Sequence, residues 1–98
     1  MSAIQHQRID DVHELRKEAG RWLKALRESK GLSQREVADR TGTEYYTFVS
    51  QLETGRGRIA PQHYERWAKA LDVEVSVFVK TLMRYYDPVT SEILFPRD

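Results

Sequence analysis

One short stretch of the sequence carries several side chains that can form hydrogen bonds without ionising. They are Tyr46, Thr47, Ser50 and Gln51. Positions three and four apart share one face of a helix, so a helix through this stretch would group these hydroxyl and amide groups. Glu44 and Glu53 lie at the two ends of the group, which leaves the face itself free of acids. This composition is typical of a surface that contacts a polar partner, with an ordinary solvated face as the alternative.

The other residues that could carry chemistry show no catalytic or metal-binding spacing. No two of His6, His13 and His63 are four residues apart, the spacing at which one helix presents two metal ligands. The sequence has no cysteine, which excludes disulfides, cysteine-ligated zinc and thiol catalysis. It shows no glycine-rich phosphate loop and no Ser-His-Asp or paired-carboxylate pattern. We therefore expect no enzymatic activity, no metal and no cofactor.

Length, composition and charge are those of one small globular domain. The 98 residues are 40% hydrophobic and 32% charged, which is enough for a small core. The 16 Lys and Arg nearly balance the 15 Asp and Glu, for a net charge of +1, and this excludes a polybasic tail or membrane patch. No apolar run approaches the roughly 18 residues of a membrane-spanning helix, and residues 1–10 lack the apolar core of a signal peptide. These features predict a cytoplasmic protein.

Helical periodicity predicts an all-α domain over residues 10–86. Residues 1–9 are polar, follow no period and are expected to form a flexible N-terminal segment. From Asp10 onward apolar residues recur at steps of three and four, which predicts a first helix that ends near Lys30. Gly20 lies in the middle of this helix and leaves open whether it is one long helix or two shorter ones.

The end signals of four further helices follow along the chain. Ser33 and Glu36 have the S-x-x-E spacing of a capping box, which begins a second helix that ends at Gly42. The next three helices are predicted over residues 44–54, 61–71 and 75–86. The expected inner stripe of the helix 44–54 consists of Tyr45, Val49 and Leu52. Residues 87–98 are expected to form an extended C-terminal tail.

Two short helices joined by a turn at Gly42 inside a helical bundle describe a helix-turn-helix. Here the sequence resembles the lambda-repressor/Cro-like (XRE) family. The resemblance is carried by LKALRESKGLSQREVADRTG, FVSQLETGRGRIAP and YERWAKALDV, which lie between residues 23 and 73, about half of the chain. It implies a five-helix lambda-repressor-like bundle that binds double-stranded DNA sequence-specifically. It also implies a nucleoid-associated transcriptional regulator, most simply a dimeric repressor.

The resemblance further implies roles for individual residues. Gln34 matches the glutamine that contacts a phosphate and braces the recognition helix, and Arg35 lies beside it, within reach of a phosphate. The recognition helix matches residues 44–54, whose polar face would enter the major groove. Arg56 and Arg58 match a loop that usually meets the DNA backbone, a contact that positions the protein without specifying sequence. The expected DNA-contacting residues are Gln34, Arg35, Tyr46, Thr47, Ser50, Gln51, Arg56 and Arg58.

One departure from the family pattern affects the start of the recognition helix. The chain has one residue more than usual between Ala38 and Glu53, and the extra residue falls around positions 43–46. The register of residues 44–46 is therefore open. Glu53 is expected to be a structural acid that pairs with a basic residue of the bundle, because at the DNA surface it would repel phosphates.

The C-terminal part of the chain is more apolar than a single core requires. In the helix 75–86, apolar residues cover more than half of the circumference, whereas one core needs a stripe of about 100°. We expect a dimer interface formed by Phe78, Leu82, Tyr85, Tyr86, Ile93, Leu94 and Phe95. Two alternatives stay open: the tail folds back over its own bundle, or residues 75–95 hold a different protein, as in antitoxin-like modules that resemble this family.

Overall fold

In the computed structural model, which describes residues 2–96 and the side chains of residues 12–96, the chain is entirely helical. The helices are α1 (Ser2–Ser29), α2 (Gln34–Thr41), α3 (Tyr46–Glu53), α4 (Tyr64–Ala70), α5 (Val75–Tyr86) and α6 (Pro88–Leu94). A short 3₁₀ turn, Pro61–His63, leads into α4 where the sequence predicted a helix from Pro61 onward. None of these helices within residues 2–96 combines the length and apolarity needed to cross a membrane. The predicted all-α fold is confirmed.

The first helix is continuous through Gly20, which answers the question that the sequence left open. A Cβ atom at Gly20 would lie 2.7 Å from the carbonyl oxygen of Leu52 and even closer to that of Glu53. Gly55 has φ +81°, and a Cβ atom there would lie 2.9 Å from the Cα of Lys17. The two glycines therefore let the backbone of α1 cross directly over the C-terminal end of α3.

The start of α1 differs from the prediction. The helix begins at Ser2, so the start expected at Asp10 is wrong, and Asp10 lies within the helix instead of capping it. No glycine or proline interrupts residues 2–19. Once a helix has nucleated, each added residue contributes a backbone hydrogen bond, so a sequence without a helix breaker can extend it.

The second helix has the ends that the sequence predicted. The Ser33 hydroxyl accepts a hydrogen bond from the Glu36 N–H at 3.1 Å, and the Ser33 N–H donates to Glu36 Oε1 at 2.9 Å. Hydrogen bonding to Ser33 lowers the pKa of the Glu36 carboxyl. Gly42 closes the helix in the left-handed conformation, with φ +69°.

The third helix begins two residues later than predicted. Tyr45 is its extended N-cap residue and Tyr46 its first helical residue, so the extra residue of this chain lies in the turn before α3. Tyr45 is 66% exposed, and its predicted place on the inner stripe is wrong because the helix has not started there. Val49 and Leu52 are buried as predicted.

The apolar surface of α5 is largely covered by the chain itself. Phe78 and Leu82 are fully buried, and the ring of Trp22 from α1 lies 5.4 Å from that of Phe78. Helices α1, α4 and α6 all pack against α5. Phe78 and Leu82 thus offer no surface to a second copy, and their predicted place in a dimer interface is wrong. Tyr85 and Tyr86 are partly buried against the same core.

The last segment forms a helix where an extended tail was expected. Asp87 caps α6 by accepting a hydrogen bond from the Thr90 N–H at 3.1 Å, and Pro88 occupies the first helical position. Hydrogen bonding to Thr90 lowers the pKa of the Asp87 carboxyl. Ser91 faces inward and is buried, whereas Ile93 is 73% exposed. The tail therefore folds back on its own bundle and still presents apolar side chains outward.

Candidate nucleic-acid interface

A buried ion pair fixes α3 to α1. The Arg27 guanidinium donates to both carboxylate oxygens of Glu53, with Nε–Oε2 at 2.6 Å and Nη2–Oε1 at 3.0 Å. The side chains of Arg27 and Glu53 are only 11% and 5% exposed. The hydrogen bonds to Glu53 raise the pKa of Arg27, which keeps the guanidinium charged. The prediction that Glu53 is a structural acid is confirmed, and Arg27 is its partner.

The same carboxylate also ties α2 to α3. Gln34 Nε2 donates to Glu53 Oε1 at 3.0 Å, and Arg27 Nη1 donates to the carbonyl oxygen of Leu32 just before α2. Hydrogen bonds to a charged acceptor are stronger than those between neutral groups. Three elements thus meet at one carboxylate, and the bracing role implied for Gln34 is present in the structure.

Helix α3 also carries the polar residues that the sequence singled out. Tyr46, Thr47 and Gln51 are exposed and Ser50 is half-buried. Position 46 is the first residue of the helix, so all of them lie on regular helical backbone and share one face. Glu53, the last residue of the helix, is buried, whereas the four polar side chains before it are exposed or half-buried.

Arg35 lies beside the start of this face. Its guanidinium carbon is 4.6 Å from the centre of the Tyr46 ring, a distance typical of a cation–π contact. Arg35 is the second residue of α2, so the contact joins the starts of α2 and α3. The structure thereby brings together two expected DNA-contacting residues that the sequence placed on different helices.

The loop after α3 is held by the end of α5. The Ile59 N–H donates to the Tyr86 hydroxyl at 3.2 Å, and the Arg58 guanidinium carbon lies 4.9 Å from the centre of the Tyr86 ring. Burial raises the pKa of Tyr86, so its hydroxyl stays protonated. Arg56 and Arg58 are both exposed. Tyr86 was expected at a dimer interface, and it also supports the loop that carries these arginines.

A half-open cavity of about 340 Å³ lies between the turn after α2, the loop after α3 and α4. Arg58, His63 and Arg66 contribute to its lining. Nδ1 of His63 is buried without a hydrogen-bond partner among the described residues, and Arg66 Nη1 donates to the carbonyl oxygen of Thr41 at 3.2 Å. The guanidinium groups of Arg58 and Arg66 can donate hydrogen bonds to an anionic oxygen in this cavity.

Nothing in the sequence pattern predicted a role in binding for Arg66 or His63. Neither residue is close in sequence to the helix-turn-helix, and only the fold brings them beside Arg58. Among residues 12–96, no group of three His, Cys, Asp or Glu side chains is placed to hold a metal ion.

The structure has a short helix with an exposed polar face that follows a tight turn and is tied to α1 by a buried ion pair. This arrangement defines a helix-turn-helix domain of the DNA-binding kind. The pattern of the Helix-turn-helix family matches residues 23–78, more than half of the chain. The chain therefore belongs to this lambda-repressor-like (XRE) family, whose members are DNA-binding regulators and generally not enzymes. No curated protein matches the sequence.

Proposed function

We propose that the protein is a sequence-specific transcriptional regulator that places α3 in the major groove of double-stranded DNA. The observation that carries this proposal is the polar face of α3 formed by Tyr46, Thr47, Ser50 and Gln51, on a helix whose end the Arg27–Glu53 pair ties to α1. Gln51 can form two hydrogen bonds with an adenine edge, and Thr47 and Ser50 can bond several bases. Repression by occluding a promoter in the cytoplasm is the simplest mechanism.

Contacts with the DNA backbone would come from both sides of α3. Gln34 is half-buried at the start of α2, and Arg56 lies in the loop beyond α3. Arg58, His63 and Arg66 line the cavity next to that loop, which we assign to a phosphate. Neutralising about four to six phosphates per subunit gives a slope of log K against log salt of about −3.6 to −5.4. Binding that does not change between low and physiological salt would contradict this assignment.

We further propose that the protein acts as a homodimer through α6. Val89, Ile93 and Leu94 of this helix are all exposed, and positions 89 and 93 lie one helical turn apart. Tyr85, Tyr86 and Phe95 are partly buried next to them. A two-fold dimer reads two half-sites about 34–36 Å apart. The Phe78 and Leu82 positions are excluded from this surface by their burial.

The experiment that tests DNA reading is sequencing of genomic fragments retained by the purified protein. The matched variant combines Ser50→Ala and Gln51→Ala, two substitutions on exposed or half-buried positions that leave the core intact. We expect an inverted motif with half-sites one turn apart for the wild type and loss of that motif for the variant. A folded wild-type protein that enriches no motif would refute the proposal.

A second candidate function is a protein-interaction module related to antitoxins. The observation that favours it is a groove of about 520 Å³ between α1 and α6, lined by Val12, Tyr86, Pro88 and Val89 among others. Light scattering separates the two candidates. A wild-type dimer that becomes a monomer upon Ile93→Ser supports the homodimer. A wild-type monomer at micromolar concentration supports the second candidate, in which the α6 surface binds a different protein.

A further inference from the structure

The stack of Arg35 on Tyr46 restricts what the arginine can do. The guanidinium carbon lies 4.6 Å from the ring centre, and both side chains are exposed. Among residues 12–96 the Arg35 guanidinium takes part in no hydrogen bond or ion pair. Its N–H groups are therefore free to bond another molecule, while its carbon lies over the Tyr46 ring. A guanidinium held against a ring is pre-organised for a two-bond contact with an acceptor.

Guanine offers such an acceptor in the major groove. Its O6 and N7 atoms accept two hydrogen bonds from one arginine, the commonest base-specific contact in protein–DNA complexes. Arg35 reaches the groove beside the first residue of α3, because its partner Tyr46 occupies that position. The stack thus holds the guanidinium at the edge of the face that is proposed to read bases.

The Tyr46 ring lies within reach of the base pair next to any base that Arg35 contacts. Its centre is 4.6 Å from the Arg35 guanidinium carbon, which is more than the step of about 3.4 Å between successive base pairs. A guanidinium that bonds a guanine therefore leaves the ring close enough to contact the neighbouring base pair. The major-groove edge of thymine presents an apolar methyl group there, which an aromatic ring can contact.

We propose that Arg35 and Tyr46 form one reading unit that recognises a guanine whose neighbouring base pair contains thymine. This inference rests on the proposed DNA-binding function and deepens it, since it assigns Arg35 to a base where the family resemblance suggested a phosphate. Tyr46 acts through its ring: it positions the guanidinium and contacts the thymine methyl group.

The first test is selection of binding sites from a random double-stranded library with the full chain. We compare the wild type with Arg35→Ala and with Tyr46→Phe, a matched control that keeps the ring. The wild type and Tyr46→Phe are expected to enrich a guanine next to thymine at a fixed position. Arg35→Ala is expected to accept any base at the guanine position and to keep the rest of the motif.

The second test changes single atoms of the selected site. Replacing the guanine by 7-deazaguanine removes the N7 acceptor and is expected to weaken wild-type binding about tenfold while leaving Arg35→Ala unaffected. Replacing the thymine by uracil removes one methyl group. It is expected to weaken binding by the wild type and by Tyr46→Phe about fourfold, and binding by Tyr46→Ala not at all.

The outcomes separate this inference from the function on which it rests. If Arg35→Ala keeps the full motif and weakens binding equally on every sequence, Arg35 contacts a phosphate and the reading unit is refuted, although the regulator stands. If the folded wild type enriches no motif, both proposals fail.

Discussion

Helices α3 and α5 both pack against α1, but different kinds of contact hold them. At α3 the backbones touch through Gly20 and Gly55, and a buried ion pair closes the contact. At α5 the contact is apolar, with Phe78 and Leu82 fully enclosed. Directional contacts fix a position narrowly, whereas an apolar core accepts other side chains of similar volume. The candidate DNA-reading helix α3 is thus fixed by directional contacts and a close backbone contact. Helix α5 is held by the burial of apolar side chains.

The largest expected effect breaks the ion pair behind α3. Glu53→Ala leaves the Arg27 guanidinium buried without its partner, and we expect a loss of about 3–5 kcal/mol in the free energy of unfolding. Urea denaturation measures it. The exposed acid Glu28 provides the control, since Glu28→Ala should change stability by no more than about 0.5 kcal/mol. A loss below about 1 kcal/mol for Glu53→Ala would show that the pair contributes little.

The next effect tests how tolerant the α5 contact is. Leu82→Ala removes three fully buried carbon atoms and should cost about 2–5 kcal/mol, because a cavity remains. Leu82→Met conserves the volume and should cost less than about 1.5 kcal/mol. Thermal and urea unfolding of the two variants give both values. Equal losses would mean that α5 is as narrowly fitted as α3, and the comparison would fail.

The next prediction adds a single methyl group to the backbone contact between α1 and α3. Gly20→Ala places a Cβ atom against the backbone carbonyls of Leu52 and Glu53, which cannot rotate away. We expect a loss of about 1–3 kcal/mol, as for other overpacked sites, despite the better helix propensity of alanine. The control is Glu28→Gly, a helix position whose change should cost about 1 kcal/mol through propensity alone. A Gly20→Ala variant as stable as the wild type would refute the close backbone contact.

The smallest effect concerns pH and the cap of α6. The Asp87 pKa is lowered in the folded state by hydrogen bonds from Thr90, so the cap contributes fully above the ordinary aspartate pKa of about 3.9. That contribution is lost as the pH falls through the lowered folded value. We expect the protection of the Thr90 amide against hydrogen exchange, measured relative to its intrinsic rate at each pH, to fall at acid pH in the wild type. Asp87→Asn keeps a capping oxygen without a charge and should remove this pH dependence.

Local signals in the sequence were sufficient where a helix end depends on neighbouring residues. The capping box of Ser33 and Glu36 and the glycine at position 42 bound α2, and α5 spans the predicted residues 75–86. The acid-free face of α3 could also be read from residue types. These features are set within one or two helical turns, so no tertiary information is needed.

The remaining differences come from contacts that no local pattern encodes. Gly20 does not bend α1. Its missing side chain instead allows a close backbone contact with a helix some thirty residues away in the sequence. Asp87 and Pro88 both end α5 and begin α6. The sequence predicted only the helix end at this point and not the start of a further helix. Arg27 and Arg66 acquire their partners only when distant helices meet.

Tyr86 links two surfaces that have separate roles in the proposed function. Its hydroxyl accepts the Ile59 N–H and its ring supports Arg58, while the same side chain lines the groove between α1 and α6. Thermodynamic linkage makes such an arrangement reciprocal. In the proposed function, a molecule that displaced this ring from the groove would lower the affinity of the loop of Arg56 and Arg58 for DNA, and DNA would lower the affinity of the groove for that molecule by the same factor.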